Sequence, residues 1–292
     1  MRTQRHPVFR RAIALVTVLI LGCQSEPAIP EITLRARDFA FVLPDTVAGG
    51  LVRFHFVNDS QEDHHAQFIR LNDGVSRAQF DSVFGAVMQA VPSEGEVAYM
   101  RISQIATPAG GPSVTAPGGT MDVTVDIAAG DYVLVCFVPS PDGVPHLAKG
   151  MRRWLTVTDP PAASPQPPVA AGRVDMADFA FAQVPTFDSG PVVLEVTNSG
   201  QEPHEMVVVR LEGVTLEQVL PMLAGPPPEG VPPGPPPFTF MGGLQGIMPG
   251  QRAWVTLDLP PGTYALVCFI PSPANGGQPH VALGMVRAFT VG

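Results

Sequence analysis

The sequence predicts an all-β protein built as two tandem Greek-key sandwiches, each with one short inserted helix. Three observations lead there. The chain of 292 residues carries 34 Pro and 29 Gly, a density of turn formers that favours short strands over long helices. Its apolar stretches are rich in β-branched and aromatic residues and close on Asn or Gly, as strands bounded by turns do. The chain also repeats itself. "RDFAF" at 37–41 returns as "ADFAF" at 177–181, and "VNDSQEDHHAQFIRL" at 57–71 returns as "VTNSGQEPHEMVVVRL" at 196–211.

The repeat divides the chain. Two domains are expected at 28–158 and 171–292, joined by the proline-rich stretch "DPPAASPQPPVA" at 159–170, which should be extended and semi-rigid. Within each copy the elements follow in order. "LVRFHFVN" and "VVLEVTN" read as strands closing on a turn-forming Asn. "TMDVTVDIAAGDYVLVCFV" and "RAWVTLDLPPGTYALVCFI" each read as two strands meeting at a Gly-containing turn, and "RRWLTV" and "VRAFTV" supply a last strand. One helix per copy opens on a capping box, Ser76 with Gln79 and Thr215 with Gln218. Pro221 should keep the second helix short or kinked. Segments 108–119 and 225–237 read as loops, too rich in Pro and Gly for core strands.

Residues 1–22 have the layout of an export signal: Arg2, Arg5, Arg10 and Arg11, no acid before Glu26, and the apolar run Ala12 to Leu21. That run is about half of what a spanning helix needs. It ends in "ILGC" at 20–23, which resembles the lipobox of bacterial lipoproteins. The resemblance implies a lipid on Cys23, a tether to the envelope membrane, and the outer membrane in a cell that has two. Net charge is −9, and the basic start masks a stronger acidity in the rest. No basic stripe exists for nucleic acid.

Soft donors are scarce and they repeat. The first copy carries His64, Cys136, His146 and Met151; the second carries His204, Cys268, His280 and Met285. The offset between copies drifts from 140 at the first histidine to 132 at the cysteine and 134 at the last two residues. Insertions have entered loops while these residues stayed. Two imidazoles, a thiolate and a weakly held thioether form a donor set that suits copper in both oxidation states. With one cysteine per copy, no disulfide can close within a domain. An unpaired thiol in an exported protein is better explained as a ligand.

The segments "NSGQEPHEMVV", "GTYALVC" and "PHVALGMVRAFTV", with "DHH", "GDYVLVC" and "PHLAKGMRRWLTV" in the first copy, resemble the cupredoxins, the blue-copper proteins, over nearly all of both domains. The resemblance implies one type 1 copper site per domain, on the eight residues named, and electron transfer with a redox partner that the sequence does not name. One departure is evident. Nine residues separate cysteine from second histidine in the first copy and eleven in the second, where familiar members have two to four. The extra residues should bulge outward through turns at Pro-Asp-Gly and Asn-Gly-Gly. The alternatives are a metal-free binding module of the envelope, and copper storage or delivery. His55 and His65, aligned with Glu195 and Glu205, are expected to face solvent. With neither cysteine flanked by histidine, no catalytic copper centre is assigned and no enzyme is expected.

Because the tether rests on one thiol, Cys23→Ser is expected to move the protein from the membrane fraction to the soluble fraction. Fractionation of the two forms side by side checks this, and an identical distribution would count against the lipid.

Overall fold

The computed structural model describes residues 26–88, 101–225 and 236–292; the signal segment and Cys23 lie outside the described residues. In the first copy the strands are β1 (Glu31–Arg37), β2 (Ala40–Val42), β3 (Thr46–Ala48), β4 (Gly50–Asn58), β5 (Gln67–Leu71), β6 (Ala106–Pro108), β7 (Thr120–Ile127), β8 (Gly130–Val135) and β9 (Arg152–Thr158). In the second they are β10 (Gly172–Ala177), β11 (Ala180–Gln183), β12 (Gly190–Asn198), β13 (His204–Leu211), β14 (Phe238–Ile247), β15 (Arg252–Leu259), β16 (Gly262–Val267), β17 (Pro271–Ser272), β18 (Gln278–Pro279) and β19 (Val286–Val291). Helices α1 (Arg77–Met88) and α2 (Leu216–Ala224) fall one in each copy.

Each copy folds as two sheets face to face. The first pairs β2-β1-β4-β7 against β3-β9-β8-β5-β6, and the second pairs β11-β10-β12-β15 against β14-β13-β16-β19. This is the all-β pair of tandem sandwiches that the sequence predicts. The strand alternation explains it. In β4 the period of two turns Val52, Phe54 and Phe56 inward while Arg53 and His55 face out, so one face must be covered. Phe54 meets Phe68 of the facing sheet edge-on, with ring centroids 4.8 Å apart. Burying each such side chain contributes on the order of 1.5–3 kcal/mol.

The chain crosses between sheets at the Gly-containing turns: β7 lies in one sheet and β8 in the other, as do β15 and β16. A tyrosine pins each crossing. Tyr132 donates to the Ala128 carbonyl at 2.8 Å, and Tyr264 to the Pro260 carbonyl at 2.6 Å, the same corner bond that other Greek-key sandwiches use. Both capping boxes form: the Ser76 and Thr215 amides donate to Gln79 and Gln218. The helix containing Pro221 stops at nine residues against twelve in its counterpart.

The two sandwiches are not beads on a linker. β7 pairs antiparallel with β15 in the register Val125↔Ala253, Thr124↔Trp254, Val123↔Val255 and Asp122↔Thr256, so one eight-stranded sheet runs through both copies. The stretch after β6 forms no strand of its own, as expected of a loop, yet it is paired. Residues 109–115 lie along β14, with bridges Ala109↔Ile247, Pro112↔Leu244 and Thr115↔Met241. Gly110 donates to Gly246 at 2.8 Å and Gln245 to Gly111 at 2.9 Å. Both seams are self-complementary. Val123 and Val255 are equivalent positions of the repeat, as are Pro112 and Leu244, so an approximate two-fold axis passes through both pairs. Thr124↔Trp254 maps onto Asp122↔Thr256 across it, and Ala109↔Ile247 onto Thr115↔Met241, an isologous contact within one chain.

Glycines let the two paired segments lie close against the backbone of their own sandwiches. Gly111 (φ +123°) and Gly243 (φ +124°) occupy equivalent places, and a β-carbon there would lie 2.1 Å from the Ala66 carbonyl oxygen and 1.9 Å from that of Met206. Backbone cannot yield as a flexible side chain can. Gly111→Ala and Gly243→Ala should each lower stability by on the order of 3 kcal/mol or more. Gly85→Ala, in α1 with open space around it, should be neutral or stabilise by up to about 1 kcal/mol. Chemical denaturation of the three variants beside the parent checks the contrast.

Candidate metal centres

In the first sandwich Cys136 follows the end of β8, and His146 and Met151 sit on the loop running from it into β9. His64 arrives from just ahead of β5, bridged to Thr115. All four are fully buried. The imidazole Nδ1 atoms of His64 and His146 stand 3.0 Å apart, with Cys136 Sγ 3.7 Å from the first and 3.5 Å from the second. A triangle with those sides has its centre about 2.0 Å from each corner, close to metal–imidazole lengths of about 2.0–2.1 Å and slightly under the metal–thiolate length of about 2.3 Å.

The second sandwich repeats the arrangement. His204 opens β13, and its Nδ1 is 3.0 Å from His280 Nδ1, which is 3.4 Å from Cys268 Sγ. His204, Cys268, His280 and Met285 are fully buried. Each donor set comes wholly from its own copy. The methionines join through backbone: Met151 donates to His146 and accepts from Cys136, and Met285 does the same with His280 and Cys268.

The long cysteine-to-histidine loops do not spread the donors. Each is pinched at its base, where His146 donates to Val138 and Leu147 to Cys136, as His280 does to Ile270 and Val281 to Cys268. The inserted residues leave as a small hairpin, closed by Pro139↔Pro145 in one copy and by β17 with β18 in the other. Gly143 (φ +78°), Gly276 (φ +65°) and Gly277 (φ +77°) make the turns, at the expected Pro-Asp-Gly and Asn-Gly-Gly. In the second copy the hairpin also braces a carboxylate, since Ser272 donates to Glu202 Oε1 at 2.9 Å.

That carboxylate belongs to a ring of groups that sequence reasoning missed. His146 Nε2 lies 2.8 Å from Glu62, and His280 Nε2 lies 3.0 Å from Glu202. Such a partner fixes the tautomer that leaves Nδ1 free to bind. Phe39 and Phe179, from the repeated "DFAF", pack on the rings of His146 and His280 with centroids 5.2 Å away. Asn58 donates to the Glu62 and Thr115 carbonyls and Asn198 to those of Glu202 and Ile247, so each holds the loop ahead of the first histidine. The repeated Gln-Glu of "SQEDHH" and "GQEPHE" was the available signal for the glutamates.

His65 and Glu205 correct an expectation. Both are buried rather than solvent-facing. They accept the amide hydrogen of the residue after each cysteine: Phe137 donates to His65 Nε2 at 2.7 Å, and Phe269 to Glu205 Oε1 at 2.8 Å. Burial lowers His65 to about 3 and raises Glu205 to about 7. His55 is half-exposed and pairs with Asp122 at 2.7 Å.

No family model matches the sequence, and no curated protein matches it. Solved structures do. An auracyanin from Roseiflexus castenholzii is 20% identical over 45% of this chain and 99% of its own, with a TM-score of 0.27. Auracyanin A from Chloroflexus aurantiacus, a blue copper protein, is 21% identical over 44% of this chain and 99% of its own, with a TM-score of 0.28. The copper nitrite reductase of Nitrosomonas europaea is 16% identical over 91% of this chain and 94% of its own, with a TM-score of 0.26.

The donors themselves test whether a metal fits. Two imidazole nitrogens facing each other at 3.0 Å repel unless a proton or a cation lies between them. Burial favours the neutral ring: it lowers His64 to about 4, with His146 adding to the effect, and lowers His204 and His280 too. In the second copy the carboxylates of Asp178 and Glu202 draw the remaining ring protons to the two Nε2 atoms, leaving both Nδ1 lone pairs facing inward. Burial likewise pushes the Cys136 thiol up to about 12 and the Cys268 thiol well above its ordinary value. A cation reverses this, because it deprotonates a coordinating thiol outright. Among the described residues these two His–Cys–His sets are the groupings able to hold an ion. Two imidazoles and a thiolate in each suit copper, one ion per sandwich. In metal-free folded Cys23→Ser protein, both thiols should be nearly silent to a disulfide reagent at about pH 8 and react fully on unfolding. Counting thiols with and without denaturant checks this.

Proposed function

We propose that the protein is an electron carrier working outside the cytoplasm, held at the envelope membrane by a lipid on Cys23, with one copper ion in each sandwich. The observation that carries this is the duplicated, fully buried triangle of two Nδ1 atoms and one sulfur, with the same 3.0 Å nitrogen separation in both copies. His64, Cys136 and His146 hold one ion, and His204, Cys268 and His280 the other. Met151 and Met285 supply the weak fourth contact. The bound metal supplies a one-electron couple. The chain's part is to hold the geometry, exclude water and keep each histidine in one tautomer.

Full burial of every donor supports electron transfer over storage or delivery, which needs an accessible ligand to release the ion. In the second sandwich, where carboxylates take both outer nitrogens, the facing lone pairs support a metal over a metal-free binding module, which has no use for them. Carriage is favoured over catalysis because the other described histidines are otherwise engaged, His55 with Asp122 and His65 with the Phe137 amide.

Copper(II) added to the Cys23→Ser protein should bind at two equivalents per chain and develop a strong visible copper–thiolate absorption. Cys136→Ser and Cys268→Ser should each leave about half of it, and the double variant none. A colourless protein that takes up no copper would favour the binding module. Copper taken up without the visible band would favour storage.

A further inference from the structure

The two centres differ at one nitrogen. In the first sandwich His64 Nε2 meets a hydroxyl, Ser60 Oγ at 2.8 Å. In the second His204 Nε2 meets a carboxylate, Asp178 Oδ1 at 3.0 Å. The outer nitrogens of the other two histidines do not differ, since each meets a glutamate. The contrast lies in a pair of aligned positions. Asp38 and Asp178 are equivalents in the repeated "DFAF", so both copies own the aspartate. Ser60 and Gly200 are equivalents two residues after the pinned asparagines. A β-carbon on Gly200 would lie 2.5 Å from Asp178 Oδ1 and 2.6 Å from His204 Nε2. Glycine is therefore what leaves room for the carboxylate, and serine fills that room with its own hydroxyl.

The backbone agrees. Both aspartates sit in two-residue turns, between Arg37↔Ala40 and between Ala177↔Ala180. The left-handed residue is Asp38 (φ +48°) in the first turn but Phe179 (φ +60°) in the second. The two turns therefore present their aspartates differently. Asp178 Oδ1 also accepts the amides of Gln201 at 2.8 Å and Glu202 at 3.2 Å, which fixes its charge against His204.

We infer that the Ser60/Gly200 difference sets the two copper centres to unequal potentials, the second lower, with Asp178 as the positioning residue that makes His204 the stronger donor. This rests on the copper reading above. An imidazole that donates to a carboxylate pushes more electron density onto its metal than one bonded to a hydroxyl. That favours the oxidised ion, as does a fixed negative charge nearby. With copper in both sites, the second centre would be the donor and the first the acceptor of a single electron.

The test uses the full-length chain carrying Cys23→Ser, loaded with copper. Cys136→Ser isolates the second centre and Cys268→Ser the first, so each can be titrated by itself with a redox mediator and a copper chelator. The second centre should hold copper(II) about tenfold more tightly than the first. With equal copper(I) affinities, that is a potential about 59 mV lower. Asp178→Asn and Gly200→Ser should each remove most of the difference while the visible band persists; if Gly200→Ser fails to fold, Asp178→Asn decides. Equal potentials in the parent, a lower first centre, or variants that leave the second centre unmoved would overturn the inference with copper binding intact. Failure of either site to form the coloured complex would instead overturn the copper reading, and this inference with it.

Discussion

Two imidazole nitrogens face each other across 3.0 Å in each buried site, and most of the surrounding structure serves to hold them there. With neither a proton nor a cation between them the contact is unfavourable, and each ring is fixed from behind. Ser60, Glu62, Asp178 and Glu202 take the outer nitrogens. The asparagine clamps fix the loop that delivers the first histidine, and the pinched base of the inserted hairpin fixes the second. The cysteine is aimed by the tyrosine corner four residues before it and by the bond from the amide just after it to His65 or Glu205. A site held this firmly suits the proposed one-electron exchange, which favours a geometry that changes little between oxidation states.

The same rigidity accounts for the polar groups in the core. Buried polar side chains cost free energy unless they are hydrogen-bonded. Asn58, Asn198, Gln67 and Gln245 meet that condition by bonding across loops or across the seam between sandwiches. They connect the metal sites to the seam. Residues 109–115 pair with β14 on one side, and on the other Thr115 bridges His64, so the first histidine of one sandwich is braced against a segment that also packs on the other.

The repeat and its eight soft donors were legible because their chemistry depends on residue type at nearly fixed spacing, which insertions in loops do not erase. The sandwich class was legible from alternation, as in β4, where Val52, Phe54 and Phe56 share a face. What escaped depended on partners far away in sequence. Segment 109–115 has a loop's composition, and residues 64–68 on one side with β14, far along the chain, on the other are what hold it in paired form. His65 and Glu205 read as exposed because they are polar and differ in kind, yet both serve one geometric purpose as acceptors. Asp178 could be seen as repeated. That it reaches a histidine, while Asp38 does not, depends on the missing β-carbon at Gly200.

The approximate two-fold seam through Val123·Val255 and Pro112·Leu244 is the kind of contact that two separate copies of one ancestral sandwich would make with each other. In a dimer of identical chains, symmetry obliges both metal sites to be the same, and any mutation that tunes one tunes its twin. Joining the halves end to end keeps the architecture and removes the obligation. Position 60 can then carry serine while position 200 carries glycine, and the fused chain can give its two halves different work.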